Sequence, residues 1–113
     1  MDRTSNGRGY RVVVIGDEET VSLFRLIGYV GHVASASELL DVLSKYVGRE
    51  DVGLIVVTYD LVEENIDKYF EFKARLRKPL LIEIPSIRSP WKTGIDYLEL
   101  FRRVVAGSGA ESP

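Results

Sequence analysis

Three short runs of branched aliphatic residues constrain this chain more than any other feature: Tyr10 to Ile15, Val52 to Val57 and Leu80 to Ile84. They are near-continuous in Val, Ile and Leu rather than alternating apolar with polar. Strands look like this when helices cover both faces of a parallel sheet. A weaker fourth strand is expected at His32 to Ala34. The stretches between the runs are long enough for right-handed βαβ crossovers, and they carry helical patterns.

The first helix should start at Asp17, which can cap it, with Glu18 and Glu19 set against the positive end of the helix dipole. Gly28 is a natural stop. Ser35 or Ser37 can cap a second helix ending near Gly48, with Leu39, Leu40, Val42, Leu43, Tyr46 and Val47 as its apolar stripe. Asp60 is expected to cap a third helix, on which Val62, Ile66, Tyr69 and Leu76 recur at helical spacing and Glu64–Lys68 and Glu71–Arg75 form i,i+4 pairs. Pro79 ends it and opens the next strand. A last helix over 94–106 would put Tyr97, Leu98, Leu100, Phe101, Val104 and Val105 on one side, and Asp96, Glu99, Arg102 and Arg103 on the other.

The expected fold is therefore α/β: an open, doubly wound, mostly parallel four-stranded sheet with helices on both faces, Rossmann-like or receiver-like, followed by a C-terminal amphipathic helix. The organisation expected along the chain is a loose tail at 1–9, an α/β domain at 10–86, a linker at 87–93, the helix at 94–106 and a second loose tail at 107–113. A length of 113 residues suits one domain, and 45% hydrophobic with 28% charged residues is a globular mixture, not a disordered one.

Composition also narrows the chemistry. A net charge of -2 gives no broad basic field, so nucleic acid is not an expected partner. The absence of cysteine removes disulfides, thiolate zinc sites and cysteine nucleophiles; a cytoplasmic location is the default expectation. No apolar run approaches the roughly 20 residues of a membrane-spanning helix, so no direct membrane insertion is expected.

In open α/β sheets ligands bind beyond the carboxyl ends of the strands, which here carry Gly16-Asp17, Thr58-Tyr59-Asp60 and Ile84-Pro85-Ser86. A phosphoacceptor receiver domain has this length and element order. It requires an aspartate at the end of the third strand, where this chain has Thr58, and a lysine after a fifth strand that this chain lacks. Helix capping is the simpler duty for Asp17 and Asp60. Val-Ile-Gly-Asp-Glu-Glu-Thr has one glycine where a dinucleotide fingerprint needs three, and no P-loop lysine, so no cofactor is expected. His32 is the only histidine, which leaves a zinc site to carboxylates. The apolar residues of the first helix (Val21, Leu23, Phe24, Leu26, Ile27) spread beyond the stripe that one sheet face needs. Either a neighbouring segment or another molecule covers the excess, and Trp91 poses the same choice between loop anchor and interface anchor.

Several motifs together resemble a known family. Gly16-Asp17, Thr20-Val21, Phe24-Arg25-Leu26 and Gly28 look like the N-terminal signature of the F subunit of the archaeal/vacuolar-type (A/V-type) rotary ATPases. Asp51 to Thr58 is similar to the family's third strand, Pro79 through Ser86 with Pro90 to its fourth strand and Ile-Pro-Ser loop, and Arg102 to Gly107 to its closing helix. Leu23 and Ile27 depart from it, being larger than the glycine and alanine usual there, as does Ile87, which replaces a commonly polar residue. The resemblance implies a non-catalytic central-stalk protein, held beside a coiled-coil rotor subunit and under the catalytic head, that couples or regulates ATP turnover and ion transport. It also implies a monomer when isolated, peripheral to the membrane through the complex. Tyr97, Leu98, Phe101, Arg102, Arg103 and Val104 are the expected partner interface, Arg102 and Arg103 being the ion-pairing part of it. A receiver-like signalling domain and a small ligand-binding α/β domain are the alternatives.

Overall fold

The strands are β1 (Arg11–Gly16), β2 (Val30–Val33), β3 (Val52–Thr58) and β4 (Leu80–Ile84). In a computed structural model, which describes residues 10–91 together with Arg102 and Ala106, they form one all-parallel sheet in the order β2-β1-β3-β4. The weak strand lies two residues earlier than the sequence suggests at its start, pairing Val13 with Val30 and Gly16 with Val33. Between β1 and β3 the register slips once: Arg11 pairs with Val52 but Val12 with Leu54, so Gly53 is an extra residue, covered by Tyr10.

Paired residues of parallel strands point to the same face, which sorts the core into two layers. Val13, Ile15, Ile55, Val57 and Leu81 are buried against α2 (Leu39–Ser44), α3 (Tyr59–Glu63) and α4 (Ile66–Arg75), through Leu39, Leu43, Leu61, Val62 and Tyr69. On the opposite face Val14 and Val56, with Val12, Leu54 and Ile84, meet Val21 and Phe24 of α1 (Glu18–Leu26). One charged residue enters the first layer. Glu83 of β4, its side chain 3% exposed, accepts from Tyr69 Oη at 2.5 Å and from Lys73 Nζ at 2.6 Å, so α4 supplies both a donor and a counter-charge.

Local chemistry explains the helix ends. Asp17 caps α1 as expected. Its far end is a Schellman turn: Gly28 adopts φ 102, its N–H reaches Arg25 O, Tyr29 N–H reaches Phe24 O, and the Phe24 and Tyr29 rings pack edge-on at 5.9 Å. The second helical segment opens as a 3-10 turn (Ala36–Glu38), where Ser35 N–H donates to Glu38 Oε1 at 2.9 Å. Of its expected stripe, Leu39, Val42 and Leu43 are buried, Leu40 and Tyr46 pack at the margin, and Val47 is exposed beyond the helix end.

The third helix differs from expectation in two ways. Thr58, not Asp60, stands at its N-cap, and Asp60 lies inside the first turn. The segment is also two helices, because Asn65 (φ -133, ψ 32) breaks the ladder and its Nδ2 donates to Ala36 O at 2.8 Å and Leu61 O at 3.3 Å. Glu64 closes α3 while Lys68 belongs to α4, so that pair does not share one helix; Glu71 and Arg75 do, 3.6 Å apart. Of the 94–106 helix, only Arg102 and Ala106 are described, both helical and exposed; the rest lies outside the described residues.

Candidate functional site

The crossover from β1 runs to β2 on one side and that from β3 to β4 on the other, so the sheet divides between β1 and β3. Ligands of open α/β sheets bind beyond the carboxyl ends at such a division. Here it carries Gly16 at the end of β1 and Asp17 after it, Thr58 at the end of β3, and Ser86 just past β4. The fold does bring these residues together, into one hydrogen-bonded clamp.

Asp17 is at its centre and 9% exposed. Its Oδ2 accepts from Thr20 N–H at 2.9 Å; its Oδ1 accepts from Thr20 Oγ1 at 2.9 Å and from Ser86 Oγ at 2.7 Å. Both hydroxyl oxygens then accept backbone N–H groups, Thr20 Oγ1 from Ile87 and Ser86 Oγ from Arg88, each at 3.0 Å. Burial works against the Asp17 charge, but the bonds from Ser86 and from Thr20 outweigh it and hold the carboxyl below its ordinary range. A carboxylate with both oxygens engaged this way is a brace. It ties the start of α1 to the loop leaving β4 across 69 positions of sequence.

Thr58 occupies the position a phosphoacceptor would need, and it is fully buried. Its side chain fills the space above Gly16, where an added Cβ would come within 2.4 Å of Thr58 Cγ2. Thr58 Oγ1 and Asp60 Oδ1 are buried and have no hydrogen-bond partner. The last residue of β3 is thus a threonine where receiver chemistry requires the phosphoacceptor aspartate. His32 lies on edge strand β2 with Nδ1 3.4 Å from Tyr46 Oη.

Sequence spacing identified Asp17 as a cap but missed Thr20 and Ser86 as its partners. The Asp-x-x-Thr pattern was the available signal for Thr20; nothing local marks Ser86, which arrives through the sheet order. Of the expected interface residues, Tyr97, Leu98, Phe101, Arg103 and Val104 lie outside the described residues, and Arg102 is exposed. The surplus apolar surface of α1 is real: Val21 is buried, whereas Leu23, Leu26 and Ile27 are exposed, Leu26 at 83%. Trp91 is also exposed, at 73%.

The model of one protein family, described as ATP synthase (F/14-kDa) subunit, matches residues 12–100. The chain is 33% identical over 102 residues to the F subunit of the A-type ATP synthase of Pyrococcus abyssi, covering 84% of this chain and 89% of that protein. It is 31% identical over 102 residues to the F subunit of the A-type ATP synthase of Thermococcus kodakarensis, covering 84% and 93%. Against the F subunit of the V-type proton ATPase of Homo sapiens it is 27% identical over 109 residues, covering 81% and 87%.

Proposed function

Because the chain belongs to the family of the ATP synthase (F/14-kDa) subunit, we propose that it is a non-catalytic central-stalk component of an A- or V-type rotary ATPase, bound to the coiled-coil rotor subunit and to the catalytic head. The observation that carries this is the family match, which runs through the sheet and beyond it to residue 100. The strand-end clamp supports it in a limited way, since its central carboxylate is committed to holding the fold. In this reading Tyr97, Leu98, Phe101 and Val104 contact the coiled coil or the head, with Arg102 and Arg103 pairing with acidic groups at the rim. The protein couples or regulates ATP turnover and ion movement, and it sits on the cytoplasmic side, joined to the membrane through the complex. Among the described residues no helix is long and apolar enough to cross a membrane.

The test is a pull-down of the full chain against the other subunits of the complex from its own genome. Stoichiometric retention of the coiled-coil subunit, reduced at least tenfold by Phe101→Ala, is the expected result. No retention when both proteins are folded overturns the stalk reading. Unchanged binding and ATPase rate for the Phe101→Ala, Arg102→Ala pair in a reconstituted complex overturns the interface assignment alone.

A further inference from the structure

The amino ends of the strands hold a second concave site, at the opposite end of the sheet from the Asp17 clamp. A cavity of ≈ 520 Å³ lies there, lined by residues that lead into and open β1, β3 and β4. Its volume falls inside the roughly 300–1,000 Å³ of small-molecule sites. The apolar part of the lining is set by register. Val12 pairs with Leu54, and Leu54 with Leu80, so the three stand in one row on one face. Tyr10, two positions before Val12, leans across the extra residue Gly53: a Cβ added there would lie 3.1 Å from Tyr10 Cβ and 3.3 Å from its Cγ. The bulge therefore leaves the room that this side chain takes up. Tyr10 is 41% exposed and Leu80 64%, so both present apolar surface to an incoming molecule.

The charge around this cavity is positive. Arg11, Arg77 and Lys78 line it against one carboxylate, Glu50, and Glu50 is engaged by Lys78 Nζ at 3.4 Å. The neighbouring Asp51 is engaged as well, by Nε and Nη2 of Arg49 at 3.0 and 2.7 Å. Arg77, exposed beside Lys78, has no acidic partner among the described residues. An apolar basin with surplus positive charge at its lip repels cations, and it offers an inorganic ion nothing from Tyr10, Leu54 and Leu80.

We propose that this cavity binds a small amphipathic anion, its apolar or aromatic body against Tyr10, Leu54 and Leu80 and its single carboxylate or phosphate head on Arg77. Three observations select that occupant. The volume suits a free small molecule. The row of Val12, Leu54 and Leu80, extended by Tyr10, rewards an apolar body. With Glu50 and Asp51 already engaged, Arg77 is left to a head group from outside the chain, and its planar fork of donors matches a carboxylate or a phosphate. The site lies at the far end of the sheet from the clamp and does not depend on the stalk reading.

The test is a titration of the full, isotope-labelled chain, followed by amide NMR, with octanoate, octyl phosphate, octylammonium and inorganic phosphate, the octyl probes kept below their micellar concentrations. Saturable shifts centred on Tyr10, Gly53, Leu54 and Leu80 are expected for octanoate or octyl phosphate, the tighter of the two naming the head group. Octylammonium should bind at least about tenfold more weakly, and inorganic phosphate should give no saturable shift at these amides. Arg77→Glu, at an exposed position where folding is not at stake, should weaken the better anion at least about tenfold. Arg75→Glu is the control for net charge, since Arg75 is also exposed but lies outside this cavity and 3.6 Å from Glu71; it should change affinity less than about twofold. Equal binding of octanoate and octylammonium, equal losses in the two arginine variants, or shifts centred away from these amides overturns the proposal.

Discussion

Protonating Asp17 removes the charge on which two hydroxyls and one backbone N–H converge. Its carboxyl is held below the ordinary value of about 3.9, so the unfolded chain takes up the proton first as pH falls from neutrality. The stabilisation is therefore complete above about pH 4 to 5 and is lost as pH drops through the lower folded value. Asp17→Asn, whose amide presents a donor to groups that already donate, is expected to cost about 1–2 kcal/mol at pH 6 in urea unfolding. The difference from the parent should shrink as pH falls below about 4 and through the lower folded value; a penalty that does not change with pH would mean the charge has no part in the clamp. Thr58 predicts the opposite sign. Its buried Oγ1 has no partner, so Thr58→Val keeps the shape above Gly16, removes an unpaired hydroxyl, and should stabilise by about 1 kcal/mol. Destabilisation instead would show that the hydroxyl has a ligand or a bond in solution. Gly16→Ala should cost at least about 1–3 kcal/mol, because the new methyl meets the body of the Thr58 side chain rather than a flexible end.

At the scale of elements, the strands were legible because continuous Val, Ile and Leu runs have few other uses in a chain this short, and β4 begins and ends where its run does. The cap at Asp17 was legible from its place before Glu18 and Glu19, whereas the next cap was legible only as a choice between Ser35 and Ser37, which the structure resolves to Ser35. The division of α3 from α4 was not. Val62, Ile66 and Tyr69 keep helical spacing across it, and the interruption depends on Asn65 finding acceptors at Ala36 and Leu61, the first of them a distant partner that periodicity cannot show. Glu83 was hidden likewise, since a glutamate in an apolar strand reads as an outward residue until Lys73 and Tyr69 are seen facing it. Asn65→Leu should therefore cost about 1–2 kcal/mol by leaving those carbonyls without their donor. Amide exchange should quicken first in the 3-10 turn at Ala36–Glu38 and in α3, ahead of the sheet. Uniform quickening across β1 and β3 would mean that Asn65 supports the whole body rather than this junction.

For the whole molecule, charge and apolar surface make different demands on assembly. Seventeen acidic residues against fifteen basic leave a net charge of -2, too little to steer a partner over long distances. The apolar candidates Tyr97, Leu98, Phe101 and Val104 outnumber the cations Arg102 and Arg103 in the proposed interface, and Arg102 is exposed, where ion pairs contribute only about 0–1 kcal/mol. Binding to the coiled-coil subunit should therefore depend weakly on salt: raising ionic strength from about 0.05 to about 0.5 M shortens the screening length from roughly 14 to 4 Å, yet should change Kd by less than about fivefold. The paired substitutions order the contributions. Phe101→Ala should weaken binding by more than Arg102→Ala at every salt concentration, and the Arg102→Ala deficit should fade as salt rises while the Phe101→Ala deficit persists. A loss of affinity beyond tenfold over that salt range, abolished by replacing both arginines, would reverse the ranking. The stalk contact would then be an ionic patch, to which the apolar residues of 94–106 contribute little.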